Sequence, residues 1–154
     1  MARAGLHCLR SGDRAFPELI DAFKRPRARF DAASILCKAG VRCAMDISDG
    51  LAGDACHIAE ASNVSIQLTQ KPRDLAPALV AYCDRYGLNP THMALAGGED
   101  YELLFACPPD VFDALRNQLP QAFPVGRCLP QAELPIVNLP DGVGSFQHGR
   151  RSLD

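Results

Sequence analysis

The stretch that most constrains this chain is Asp46-Ile47-Ser48-Asp49-Gly50-Leu51, where an apolar run from Val41 to Met45 stops and a helix-like pattern begins. Strand-to-helix junctions hold ligands because the first helical N–H groups have no partner inside the helix and point, with the positive end of the dipole, at whatever lies in front. That arrangement favours an anion. Asp46 and Asp49 are anions themselves, however, and a phosphate facing two carboxylates is repelled unless a divalent cation sits between them. If the segment is the first turn of a helix, Asp46 and Asp49 stand at i and i+3 and project to one side, where they can share a cation. Magnesium suits such a place, since it takes one or two carboxylates and completes its shell with waters and phosphate oxygens. The competing account is that Asp46, Ser48 or Asp49 is a helix N-cap, for which Asp and Ser are favoured residues.

The rest of the chain says what can surround this turn. With 154 residues, 47% of them hydrophobic and 22% charged, it can bury a core of its own as one compact domain. The net charge of -2, with basic residues scattered apart from Lys24, Arg25, Arg27 and Arg29, argues against a nucleic-acid footprint. That cluster is either a solvated turn or a surface facing phosphate or an acidic partner. Seven cysteines, an odd number without a C-x-x-C pair and mostly within apolar segments, predict reduced thiols in a cytoplasmic protein. No apolar run is long enough to span a bilayer, and the first residues carry no signal-peptide core, so no membrane partner is expected.

Periodicity divides the chain into alternating elements. A short amphipathic helix is predicted from Pro17 to Phe23, ended by Pro26, and a second from Phe30 to Lys38 with Gly40 as its stop. Val41–Met45 is a strand candidate. After Gly50, Leu51, Ala55, Ile58 and Ala59 mark one helical face that frays near Ser62-Asn63. Val64–Leu68 alternates as a half-buried strand, and Leu75–Tyr86 has helical spacing ending at Gly87. Asn89-Pro90 is predicted as a turn, Met93–Ala96 as a short apolar strand, and Glu99–Ala106 as an extended, partly buried segment. Pro108-Pro109-Asp110 opens another helix, Phe123–Gly126 and Ile136–Leu139 are strand candidates, and Asp141-Gly142 is a hairpin signal. Helices alternating with strands, some of the strands adjacent near the end, favour a layered α/β or α+β domain with a mixed sheet.

Gly97-Gly98-Glu99-Asp100 is the second candidate site. Two glycines let the backbone approach something closely, backbone N–H groups beside them can face a ligand, and Glu99 can accept hydrogen bonds from a cationic or amino-bearing substrate. A bulge or tight turn with exposed acids is the alternative. His7, His57, His92 and His148 show no metal spacing and no neighbouring nucleophile, and neither common nucleotide-binding glycine motif occurs.

Taken together, Asp46-Ile-Ser-Asp-Gly-Leu51, His57-Ile58-Ala59-Glu60-Ala61-Ser62 and Ala96-Gly-Gly-Glu-Asp-Tyr-Glu-Leu-Leu-Phe105 resemble the C-terminal domain of thiamine-monophosphate kinase. Arg25-Pro26-Arg27-Ala28-Arg29 is similar to that family's entry into the domain, Val125-Gly126-Arg127 to its late strand, and Ser145-Phe146-Gln147-His148 to its closing aromatic segment. The paired motifs are far more specific than either alone. The family belongs with aminoimidazole ribonucleotide synthetase and selenophosphate synthetase, whose shared C-terminal domain is a layered α/β/α fold, and another synthetase of that superfamily is an alternative reading.

The resemblance implies that Asp46 and Asp49 hold magnesium ions bridging the phosphates of ATP, and that Ser48 touches the nucleotide. Glu99 and Phe146 would contact thiamine monophosphate, Phe146 lying against a ring and Glu99 facing a cationic ligand. The product would be thiamine diphosphate. No catalytic base is expected, because the acceptor is already a phosphate oxyanion and phosphoryl transfer rests on positioning and charge neutralisation. Residues 1–30 are expected to be a lead-in with a connecting helix, 31–148 the domain itself and 149–154 a loose tail. In the family a further domain precedes this one and carries the main nucleotide surface, more acidic magnesium ligands and the dimer contacts. The expectation is therefore a C-terminal part that is inactive without an upstream domain or partner chain, homodimerising through it. A stand-alone binding or regulatory module of the same fold is the rival. Gly149 stands where the family often has another aromatic.

Overall fold

The computed structural model describes residues 1–69, 74–140 and 143. In chain order the elements are α1 (Ala2–Ser11), α2 (Pro17–Lys24), α3 (Phe30–Lys38), β1 (Cys43–Asp46), α4 (Leu51–Ser62), β2 (Val64–Leu68), α5 (Pro77–Tyr86), α6 (Pro90–Ala96), β3 (Leu103–Ala106), α7 (Pro109–Leu115), β4 (Gly126–Pro130) and β5 (Ile136–Val137). Phe146, the Asp141-Gly142 hairpin signal and the tail 149–154 lie outside the described residues.

The α/β character expected from the alternation is what forms, but among the described residues the strands divide between two sheets. β1 and β3 pair antiparallel, with Cys43 opposite Ala106 and Asp46 opposite Leu103. In the second sheet β2 is central, antiparallel to β4 and parallel to β5. Buried Ser65 ties this sheet to the segment before β5, its hydroxyl donating to the Leu134 carbonyl at 2.7 Å and accepting from Ala132 N at 2.9 Å.

Helix α4 is packed against both sheets and against α6. Its residues 51–55 are buried in succession, so the first turn is enclosed on every side, unlike a surface helix with one apolar stripe. Leu51, Ala52, Ala55, Ile58 and Ala59 meet Ile66 of β2, Leu95 of α6, Leu104 of β3 and Ile136 of β5. Burying a side chain such as Leu51 or Ile58 contributes about 1.5–3 kcal/mol. This enclosure fixes the start of α4, and with it the turn between β1 and α4.

A second core joins the N-terminal helices to α5. Ala4 and Cys8 of α1, Leu19 of α2 and Leu79, Tyr82 and Cys83 of α5 are buried together. Gly5 lets α1 and α2 touch backbone to backbone, since a Cβ there would lie 1.9 Å from the Leu19 carbonyl oxygen. α1 was not among the helices expected from the sequence.

Three further expectations are corrected. Met93–Ala96 is helical, not extended: Asn89 caps α6 with its side-chain oxygen, accepting from Thr91 N at 2.9 Å and His92 N at 3.1 Å, and Pro90 takes the first helical position. Extended structure resumes only at Leu103, because Glu99 and Tyr101 have φ of 63° and 52°. The strand expected at Phe123–Gly126 begins at Gly126, where Gln67 and Leu68 of β2 supply the pairing.

Candidate functional site

The two sequence motifs lie side by side. Three backbone hydrogen bonds carry the β1–β3 pairing past the strand ends: Ile47 N donates to Glu102 O at 2.8 Å, Tyr101 N to Ile47 O at 2.9 Å and Glu99 N to Ser48 O at 2.8 Å. The closeness that Gly97-Gly98 foretold is to the protein's own backbone, since a Cβ on Gly98 would lie 2.3 Å from the Ser48 carbonyl oxygen. Just beyond the glycine pair, the N–H groups of Glu99 and Tyr101 donate to carbonyls of the acidic turn.

The turn itself differs from both sequence accounts of it. Asp46 is the last residue of β1 and exposed, while α4 starts only at Leu51, so Asp46 and Asp49 are not i and i+3 on one helix. Nor do Asp46, Ser48 and Asp49 serve as the cap: the N-cap position is Gly50, at φ 108°, with no side-chain capping bond. A Cβ at Gly50 would press on the Leu95 carbonyl oxygen at 3.0 Å, so α6 closes the turn from the other side.

Asp54, which sequence reasoning left aside, organises the turn. It is 1% exposed, and its Oδ2 accepts from Ser48 N at 3.0 Å and Asp49 N at 3.2 Å. Its Oδ1 is buried without a hydrogen-bond partner. Burial holds the Asp54 carboxyl above the usual carboxylate range, against the pull of the N–H donors at Asp49 and Ser48, and the Asp49 charge adds to the rise. One helical turn on, His57 brings its imidazole to the same place, so that ligand atoms of Asp49, Asp54 and His57 all lie within 4.8 Å of one another. Asp46 is not in that group. The signal was available as Asp54-x-x-His57 on one helix face, but its third member comes from the preceding turn.

The neighbouring loop is fastened from two directions. Asp100 Oδ1 accepts from Ala2 N at 2.8 Å, fixing the start of α1 to the G-G-E-D segment. Arg29 reaches Glu102 at 2.7 Å and Asp31 at 3.5 Å. Of the basic cluster, Arg29 is thus a strut of the second motif, whereas Lys24, Arg25 and Arg27 are exposed, Arg25 pairing with Asp21. Glu99 is exposed at the junction, and Ser48 is half-buried.

A family model described as AIR synthase related protein, C-terminal domain, matches residues 7–134. Among curated proteins, the chain is 45% identical over 92 residues to the thiamine-monophosphate kinase of Aquifex aeolicus strain VF5, a match covering 60% of this chain and 30% of that protein. Among solved structures, it is similar to AaThiL complexed with AMPPCP and TMP, with TM-score 0.68 and 35% identity over 88% of this chain and 43% of that one. It is similar also to thiamine-monophosphate kinase from Stenotrophomonas maltophilia K279a, with TM-score 0.72 and 28% identity over 88% and 46% of the respective chains. The chain therefore spans about a third of the curated relative's length.

Proposed function

Since the chain belongs to the AIR synthase related family as its C-terminal domain, we propose that it supplies the C-terminal part of a thiamine-monophosphate kinase, which transfers the γ-phosphate of ATP to thiamine monophosphate to give thiamine diphosphate. The observation that carries this reading is the backbone ladder from Glu99, Tyr101 and Glu102 to Ile47 and Ser48, which makes one surface of the two motifs. Asp46 and Asp49 are the magnesium ligands in this reading, Ser48 contacts the nucleotide, and Glu99 with Phe146 contacts thiamine monophosphate.

The residue types fit a hard cation: Asp46 at the strand end and Asp49 in the turn offer carboxylate oxygen donors, of which Asp49 lies close to the buried Asp54. Bound magnesium supplies neutralisation of phosphate charge. The chain's own residues do the positioning. Asp54 holds the amides of Ser48 and Asp49, Gly98 permits the second motif to lie against them, and Glu99 at its exposed position meets the cationic part of the acceptor. The acceptor phosphate needs no base. The same reading carries a cytoplasmic location, in keeping with seven free cysteines, together with a domain or chain that completes the nucleotide surface and homodimeric assembly.

Calorimetric titration of the chain with thiamine monophosphate in the presence of Mg2+ and a non-hydrolysable ATP analogue tests it. Binding weakened at least about tenfold by Glu99→Ala or by Asp49→Ala is expected, each being a charge-assisted contact worth ~1.5–3 kcal/mol. Binding indifferent to both substitutions contradicts the assignment.

A further inference from the structure

We propose that Asp49, Asp54 and His57 form a binding site for a divalent first-row transition-metal ion, which shares Asp49 with the Asp46–Asp49 pair assigned to ATP-bound magnesium but draws its other ligands from α4. The three side chains bring ligand atoms within 4.8 Å of one another, a spacing that a single ion can bridge after small side-chain rotations. The independent observation is Asp54. Its side chain is 1% exposed, its Oδ1 is buried without a hydrogen-bond partner among the described residues, and the carboxylate lies close to a second carboxylate and an imidazole. A cation answers both the missing partner and the proximity of two carboxylates, and two carboxylates with a neutral imidazole balance its charge.

The donor set selects the ion. Magnesium and calcium favour all-oxygen shells, whereas imidazole with carboxylates suits first-row transition ions. Three protein ligands leave positions open, and the half-buried Asp49 and exposed His57 leave a path to them. Asp54 Oδ2 is held by two backbone N–H groups, which orient the carboxylate as an outer hydrogen bond orients a metal ligand. Seven free cysteines make manganese a better probe than zinc, because thiolates compete for the softer ion.

The experiment is a titration of the EDTA-treated chain with Mn2+ alone, followed by electron paramagnetic resonance and by imidazole proton resonances. One manganese is expected to bind, broadening His57 at substoichiometric metal while His7, packed against Tyr82 and Tyr86, stays sharp. His57→Ala, at an exposed position that does not threaten folding, should weaken that binding at least about tenfold. Asp54→Asn, which keeps the shape, should do the same, with the retained fold checked by circular dichroism. Asp46→Ala should leave Mn2+ binding in place, so that failure of the kinase assignment and failure of this site are told apart. Manganese affinity unchanged in His57→Ala, His57 and His7 broadened alike, or binding abolished by Asp46→Ala would each overturn the proposal.

Discussion

Gly98 shows how much of the site rests on the absence of one carbon atom. Its Cα lies so close to the Ser48 carbonyl that a methyl group would sit 2.3 Å from that oxygen, and the obstacle is backbone, which cannot swing away. Gly98→Ala should therefore lower stability by about 1–3 kcal/mol, the usual cost of overpacking, as read by urea unfolding. An unchanged midpoint would contradict the close approach. The next residues pay for the same contact in conformation: Glu99 and Tyr101 sit in the left-handed region, at about 1–2 kcal/mol for a residue with a Cβ, and hold it through hydrogen bonds to Ser48 and Ile47. Both motifs were legible in the sequence as unusual juxtapositions of glycine and acid. What was not legible was that their N–H groups serve each other, because hydrogen-bond partners distant in sequence leave no local pattern. Asp54 and His57 escaped for a related reason. Two ligands on a helix with the third in a preceding turn match no fixed spacing, and Asp54 looks like any acidic residue in a first helical turn.

At the scale of elements, α6 is the instructive case. Met93-Ala94-Leu95-Ala96 is too short an apolar run to declare a period, and what decides it lies upstream in Asn89-Pro90, a helix start that also looks like a turn. Asn89→Ala should cost about 1 kcal/mol, because the amides of Thr91 and His92 lose their acceptor. The loss should appear in thermal unfolding, and no shift would mean that tertiary packing alone keeps α6 helical. The consequence reaches the site, since α6 places the Leu95 and Ala96 carbonyls against Gly50 and leads straight into Gly97-Gly98. By contrast α3, α4 and β2 were legible nearly to the residue, because strong periodicity was bracketed by terminators: Gly40 beyond α3, and Asn63 between α4 and β2 at φ 51°. α1 was not, although its buried residues Ala2, Ala4, Gly5 and Cys8 share one helical face, because such small residues give a weak apolar signal.

At the scale of the whole molecule, two cores meet at one junction. One surrounds α4 and fixes the acidic turn; the other joins α1, α2 and α5, and α1 returns to the site through Asp100. The layered α/β class was legible from alternation alone, whereas the division of strands into two sheets follows from long-range pairings such as β2 with β5. The chain matches about a third of its curated kinase relative, so the central claim concerns what these residues contribute to a phosphotransferase. It is tested most directly by replacing the corresponding part of the Aquifex aeolicus kinase with these 154 residues and measuring ATP-dependent formation of thiamine diphosphate. The predicted result is magnesium-dependent turnover that falls about 100-fold or more with Asp49→Ala, as charge stabilisation at the phosphates is lost, and a raised KM for thiamine monophosphate with Glu99→Ala. A folded chimera without turnover, or one whose turnover is the same with Asp46→Ala, Asp49→Ala and Glu99→Ala as without them, would contradict it.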